Sequence, residues 1–228
     1  MEENRQSNQE SQSNLVDDVK EFYNGNFKNI LFSFFKNPIS GIYSIIEKPS
    51  EKANIQSLSL YVFVFFTYLI CWYFIVPAIL RDTLEFSLFI KLSLIPLIMM
   101  FVISCLSFAI KSLSSKPDFK NEFFMGAICG IPLSIYILVL LITSFLIDLE
   151  TPGNNSESSY RTMILFSKVN LLILFYSSLM LINVFQQSLK SGRIKEGIAW
   201  YLSPTAVLIA FYITFQIATN FLFENVDL

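Results

Sequence analysis

Catalysis inside a membrane needs a nucleophile with a base, a metal site or paired acids held at depth, and this 228-residue chain offers none of these sets. It contains no histidine, the commonest general base and a frequent zinc ligand. Five runs are free of Asp, Glu, Lys and Arg: Ala53 to Leu80, Leu92 to Ile110, Phe123 to Ile147, Leu171 to Leu189 and Gly197 to Phe223. Acid pairs and most proton relays are thereby removed from them. Cys71, Cys105 and Cys129 fall inside these runs and read as small hydrophobes. Walker, Rossmann and nucleophile-elbow patterns are missing, so no nucleotide site is expected. The reading is a protein that is not an enzyme and uses no cofactor or metal.

Polar groups do occur in the runs, among them Thr67, Ser104, Ser107, Ser134, Asn183, Gln186, Gln216, Thr219 and Asn220. They suit two roles: lining a solute path, or hydrogen-bonding one helix to another at about 0.6 to 2 kcal/mol each. Gly126 and Gly130 form a small-xxx-small pair that lets another backbone come close, either within the chain or from a neighbouring subunit. Pro132 follows and can kink that helix; Pro77, Pro96 and Pro204 can do the same in theirs. Lys91 and Lys168 lie near the ends of two spans, where a long stem snorkels to the headgroups or pairs with Asp82, Glu85 or Asp148.

The elements that position these groups follow from length. Each charge-free run supplies the roughly 20 apolar residues that cross about 30 Å of hydrocarbon as a helix. With 54% of residues hydrophobic and 15% charged, the fold class expected is all-α, a polytopic integral membrane protein of five transmembrane helices. Basic residues set the orientation. Twelve of them (Arg5, Lys20, Lys28, Lys36, Lys48, Lys52, Lys111, Lys116, Lys120, Lys190, Arg193 and Lys195) fall on one side, and only Arg81 and Arg161 on the other. By the positive-inside rule the N-terminus is cytoplasmic and the C-terminus outside, in a cell membrane. The formal net charge of -2 argues against nucleic acid as a partner.

Residues 1–21 read as a polar, disordered cytoplasmic tail, with Glu2, Glu3 and Glu10 where a signal peptide would be basic. Residues 22–52 read as amphipathic. Phe27, Ile30, Leu31 and Phe34 recur at helical spacing; Asn37-Pro38 stops one short helix and starts another that carries Ile42 and Ile46 to Pro49. Two placements are open: lying in the headgroup layer, or packing beneath the bundle as a plug. Residues 53–223 form the five-helix domain and 224–228 an external tail. Lys111 to Glu122 reads as a cytoplasmic loop in which Asp118 caps the next helix. Asp148 to Arg161 reads as the sizeable external loop, bent at Pro152-Gly153-Asn154, with a glycosylation-type triplet at Asn154.

Two segments resemble a known family. Asn37-Pro38-Ile39-Ser40-Gly41-Ile42-Tyr43-Ser44-Ile45-Ile46-Glu47-Lys48-Pro49 looks like the Pro-spaced opening of the Yip family of five-span proteins, named for interaction with Ypt/Rab GTPases. Asp118-Phe119-Lys120, followed by Gly126-Ala127-Ile128-Cys129-Gly130-Ile131-Pro132, is similar to that family's polar-loop, small-residue, Ile-Pro pattern. The resemblance implies a cytoplasmic N-terminus, a five-helix bundle and a role in organising other membrane components. Eukaryotic members act in vesicle traffic; some bacterial members look like companions of transporters. The abundance of Phe, Ile, Asn, Lys and Ser tilts toward the bacterial branch.

The function expected is an accessory, assembly or regulatory partner of a membrane complex, of which an ABC-type efflux or toxin-resistance transporter is the most concrete case. The alternatives are a vesicle-traffic or membrane-shaping protein that binds small GTPases, and a small-solute transporter. The expected partners are the bilayer and other membrane proteins, with Phe27, Ile30, Leu31, Phe34, Pro38, Ile42, Ile46, Gly126 and Gly130 as candidate contact residues. The sequence leaves the oligomeric state open.

Overall fold

The computed structural model describes residues 17, 19–37, 42–47, 53–76, 81, 83–150 and 156–223. Among these residues there is helix and no strand. A π-helical turn, Phe22–Asn26, runs straight into α1, Phe27–Lys36, and a short α2 covers Tyr43–Glu47. The spans are α3 (Ala53–Ile75), α4 (Phe86–Ser112), α5 and α6 (Phe119–Ile128 and Gly130–Glu150), α7 (Ser156–Ser191) and α8 (Glu196–Phe223). Among the described residues, five helices, with α5 and α6 acting as one, are long and apolar enough to cross a membrane. The chain is an all-α, polytopic membrane protein.

Around the bundle the spans neighbour one another in the order first, second, fifth, fourth, third, and the third closes the ring against the first. The third is the most enclosed, with 67% of its apolar window buried inside the protein. Its path has a local cause. Pro132 has no N–H to give to the carbonyl of Ile128, so the helix breaks at Cys129, whose own N–H reaches Met125 O at 3.2 Å and Gly126 O at 3.1 Å. The break puts Pro132 in the first turn of α6, where a missing N–H costs nothing. In α4 and α8 the helix continues through Pro96 and Pro204, while Pro77 lies outside the described residues.

Asp118 caps α5 as expected, its carboxylate accepting from Lys120 N at 3.1 Å. The connection from Lys111 to Glu122 is half helix: α4 runs on to Ser112 and α5 starts at Phe119, which leaves residues 113–118 between them. On the other side, α6 reaches Glu150 and α7 begins at Ser156, so helix replaces most of the external loop expected from Asp148 to Arg161. The 36 residues of α7 measure about 54 Å at ~1.5 Å per residue, well beyond a hydrocarbon core of about 30 Å. Residues 151–155, with the bend and Asn154, lie outside the described residues.

The short helices near the N-terminus pack against the bundle through part of their apolar surface. Phe22, Ile42 and Ile46 are buried in the core, and α2 packs against α5 and α7 beneath the bundle. Tyr23 donates from its hydroxyl to Ser59 O at 3.0 Å, and the Phe27 ring meets Phe63 edge-on at 5.2 Å, both in the first span. Beyond these anchors α1 turns Phe32 and Phe35 outward, 67% and 61% exposed, with the Lys36 ammonium over the Phe32 ring.

Candidate functional site

The chemistry is concentrated where the second, third and fourth spans converge at the basic end. Lys111 ends one apolar run and Glu122 precedes another, so neither is inside a charge-free segment. Folding nevertheless buries both. Lys111 Nζ donates to Glu122 Oε1 at 2.7 Å, with each side chain 4% exposed. Glu122 Oε2 accepts from Ser107 Oγ at 2.6 Å and from Ser188 Oγ at 3.4 Å, and Ser107 and Ser188 approach each other at 3.2 Å. Lys111 Nζ also reaches Ser191 Oγ at 3.5 Å. Both carboxylate oxygens and the ammonium are thus engaged, which is what makes a buried ion pair tolerable. A closed network of this kind has no free base and suits a lock between helices better than proton transfer.

The turn after the fourth span shapes itself around this lock. Arg193 N bonds Lys190 O at 3.0 Å and Ile194 N bonds Leu189 O at 3.2 Å, the two bonds of a Schellman cap. The residue in the left-handed region is Arg193, at φ 62°, and not the adjacent Gly192. Gly192 answers a different need: a Cβ there would stand 2.9 Å from Lys111 Cγ and Cδ. Its missing side chain lets the lysine stem pass to Glu122. Lys190 pairs with Glu196 across the same turn.

An open cleft of about 340 Å³ lies beside the pair. Ile46 of α2, Lys116 and Asp118 between the second and third spans, and Arg193 after the fourth all line it. The N-terminal helices and both basic-end connections therefore meet at one polar concavity.

Gly126 and Gly130 are consumed by packing inside the chain. A Cβ on Gly126 would fall 1.9 Å from Ser104 Oγ and 2.6 Å from the Met100 carbonyl oxygen; one on Gly130 would fall 2.5 Å from Val64 Cγ2. The close approach expected from the glycine pair is made by the second and first spans. Of the candidate contact residues near the N-terminus, Ile30, Ile42 and Ile46 are buried, and Phe27 and Leu31 are half-buried against the core. Pro38 and the Phe34 side chain lie outside the described residues.

What sequence reasoning missed is the exposed pair Phe32 and Phe35, the Lys111 and Glu122 pair, and the hydroxyls of Ser177 and Thr214. The first pair was legible as apolar residues off the Ile30 face; the second was hidden because both residues border a polar connection. Lys91 stands over the Phe221 ring at 5.4 Å, tying the start of α4 to the end of α8, and Lys168 is exposed on α7.

The fold and the site define a class, a five-span helical membrane protein with an ion-pair lock at its basic end. No protein-family model, curated protein or solved structure matches the chain. The likeness to the Yip family therefore rests on its motif residues alone.

Proposed function

We propose that this chain works by binding other membrane proteins, as an accessory or regulatory subunit of a membrane complex, with an ABC-type efflux or toxin-resistance transporter as the partner of choice. The observation that carries this is α1. Tyr23 in the π-helical turn before it, with its own Phe27 and Ile30, pins one edge of it to the bundle, leaving Phe32 and Phe35 outward beside Lys28 and Lys36. An anchored helix that presents two large aromatics and two cations is suited to the boundary between headgroups and a neighbouring protein. The engaged state of Lys111 and Glu122 supports a non-enzymatic role, since the most buried charges hold helices together. The basic end, with α1 and the cleft, faces the cytoplasm in this reading.

The test is recovery of partners in mild detergent from cells expressing the full chain and its Phe32→Ala/Phe35→Ala variant. Transporter subunits should co-purify with the parent and be depleted with the variant, while both forms insert equally. Recovery of small GTPases would favour the traffic role instead. Recovery that does not change would remove α1 from the interface, and a chain that mediates solute flux alone in vesicles would establish the transporter reading.

A further inference from the structure

A cavity of about 400 Å³ lies inside the ring of spans, far from the ion pair, and is lined by residues of all five. Pro96 on its wall precedes Lys111 by 15 residues in α4, about 22 Å at ~1.5 Å per residue. Among the described residues no charged side chain lines it. Trp72, Phe211 and Phe215 supply flat apolar walls, and the size is within the roughly 300–1,000 Å³ of small-molecule sites.

Six hydroxyls line this space, and four are engaged. Tyr68 donates to Leu133 O at 2.9 Å, Tyr136 to Asn170 Oδ1 at 2.8 Å, Ser178 to Leu174 O at 2.8 Å and Thr219 to Gln216 O at 2.9 Å. Ser177 and Thr214, only 2% and 4% exposed, have no hydrogen-bond partner among the described residues. They sit on the adjacent fourth and fifth spans. A hydroxyl in a membrane helix ordinarily donates to the carbonyl four residues back, as Ser57, Ser93, Ser104 and Ser203 do here. Tyr61 and Ser134 are also buried without a partner, but away from this space; Ser177 and Thr214 are the two that line the same cavity, and there they call for an acceptor from outside the chain. Water is a poor candidate, because a stable buried water needs two to four polar partners and the walls are almost wholly apolar.

We infer that this cavity binds an uncharged lipid whose carbonyl oxygen accepts hydrogen bonds from Ser177 and Thr214 while its tail lies along the aromatic walls. Neutrality follows from the missing charges, and the acceptor character from two idle donors. Access is from the bilayer: Leu174 and Phe215 at the rim are 43% and 64% exposed. Ester and ring-ketone lipids share this chemistry.

The experiment uses the full chain in lipid nanodiscs with three photoreactive probes: a monoacylglycerol, a short-tailed quinone and an ether analogue of the first that lacks its carbonyl. The ester or the quinone, or both, should label the fourth and fifth spans at the cavity, and which of them does so identifies the source. The ether analogue should label about tenfold less, as expected for losing one to two hydrogen bonds. Ser177→Ala/Thr214→Val, which keeps the apolar volume, should reduce carbonyl-probe labelling by the same factor. Equal labelling by ester and ether would overturn the inference, as would labelling that is unaffected in the double variant. The ether comparison is made on the parent chain, so it decides the matter even where the double variant does not fold. An anionic phospholipid that competes as well as the neutral probes would also overturn it.

Discussion

Lys111 and Glu122 sit on different helices of one helical hairpin and meet at 2.7 Å with almost no exposure, so the second and third spans are joined by charge where they leave the apolar zone. Ser107 and Ser188 extend the same network to the fourth span.

Breaking this pair from one side strands a buried charge. Glu122→Gln should cost about 3–5 kcal/mol, and Lys111→Met a similar amount. The double change Lys111→Met/Glu122→Leu should recover most of the loss, because two apolar side chains leave no charge to desolvate. Thermal unfolding of purified protein in detergent would measure all three. A double variant as unstable as the worse single one would show that the network matters through Ser107 and Ser188 and not through the ion pair.

The two glycines of the third span should respond differently to alanine. At Gly126 the new methyl meets the Met100 carbonyl, part of a helix backbone that cannot step aside, so Gly126→Ala should destabilise by about 1–3 kcal/mol or more. Ser104→Ala should not rescue it. At Gly130 the closest obstruction is Val64 Cγ2, a side-chain atom, so Val64→Ala should restore most of the stability lost in Gly130→Ala. The comparison is read from midpoints of thermal unfolding.

The turn after the fourth span offers a gain. An L residue in the left-handed region costs about 1–2 kcal/mol, so Arg193→Gly should raise the midpoint of unfolding. Gly192→Ala should lower it by pressing on the Lys111 stem. In the Lys111→Met background that penalty should shrink, since a shorter, uncharged chain can bend away. An undiminished penalty would place the obstruction in the turn itself.

Orientation is checked by fusions. A reporter active only outside the cytoplasm should be active after Asn154 or Leu228 and silent after Lys116 or Arg193. Activity at Arg193 would reverse the assignment of the basic end.

Much of this protein was legible along the chain, because the bilayer imposes a local rule: about 20 apolar residues per crossing, with charge excluded. That rule gives five spans, and it needs no knowledge of which helix touches which. The Asp118 cap was legible for the same reason, since its partner is the backbone two residues away. The loop after Asp148 was overdrawn because hydropathy marks only the apolar part of a helix and not where its backbone hydrogen bonding ends.

The pairing of Lys111 with Glu122 depends on the second, third and fourth spans converging, which no spacing encodes. The same holds for the use of Gly126 and Gly130 within the chain, and for Phe32 and Phe35 facing outward while Ile30 faces in. Ser177 and Thr214 are two among many hydroxyls in the sequence. Only the ring of five spans leaves them idle at one cavity, because a hydrogen bond that is not made is a property of the whole packing and not of any residue.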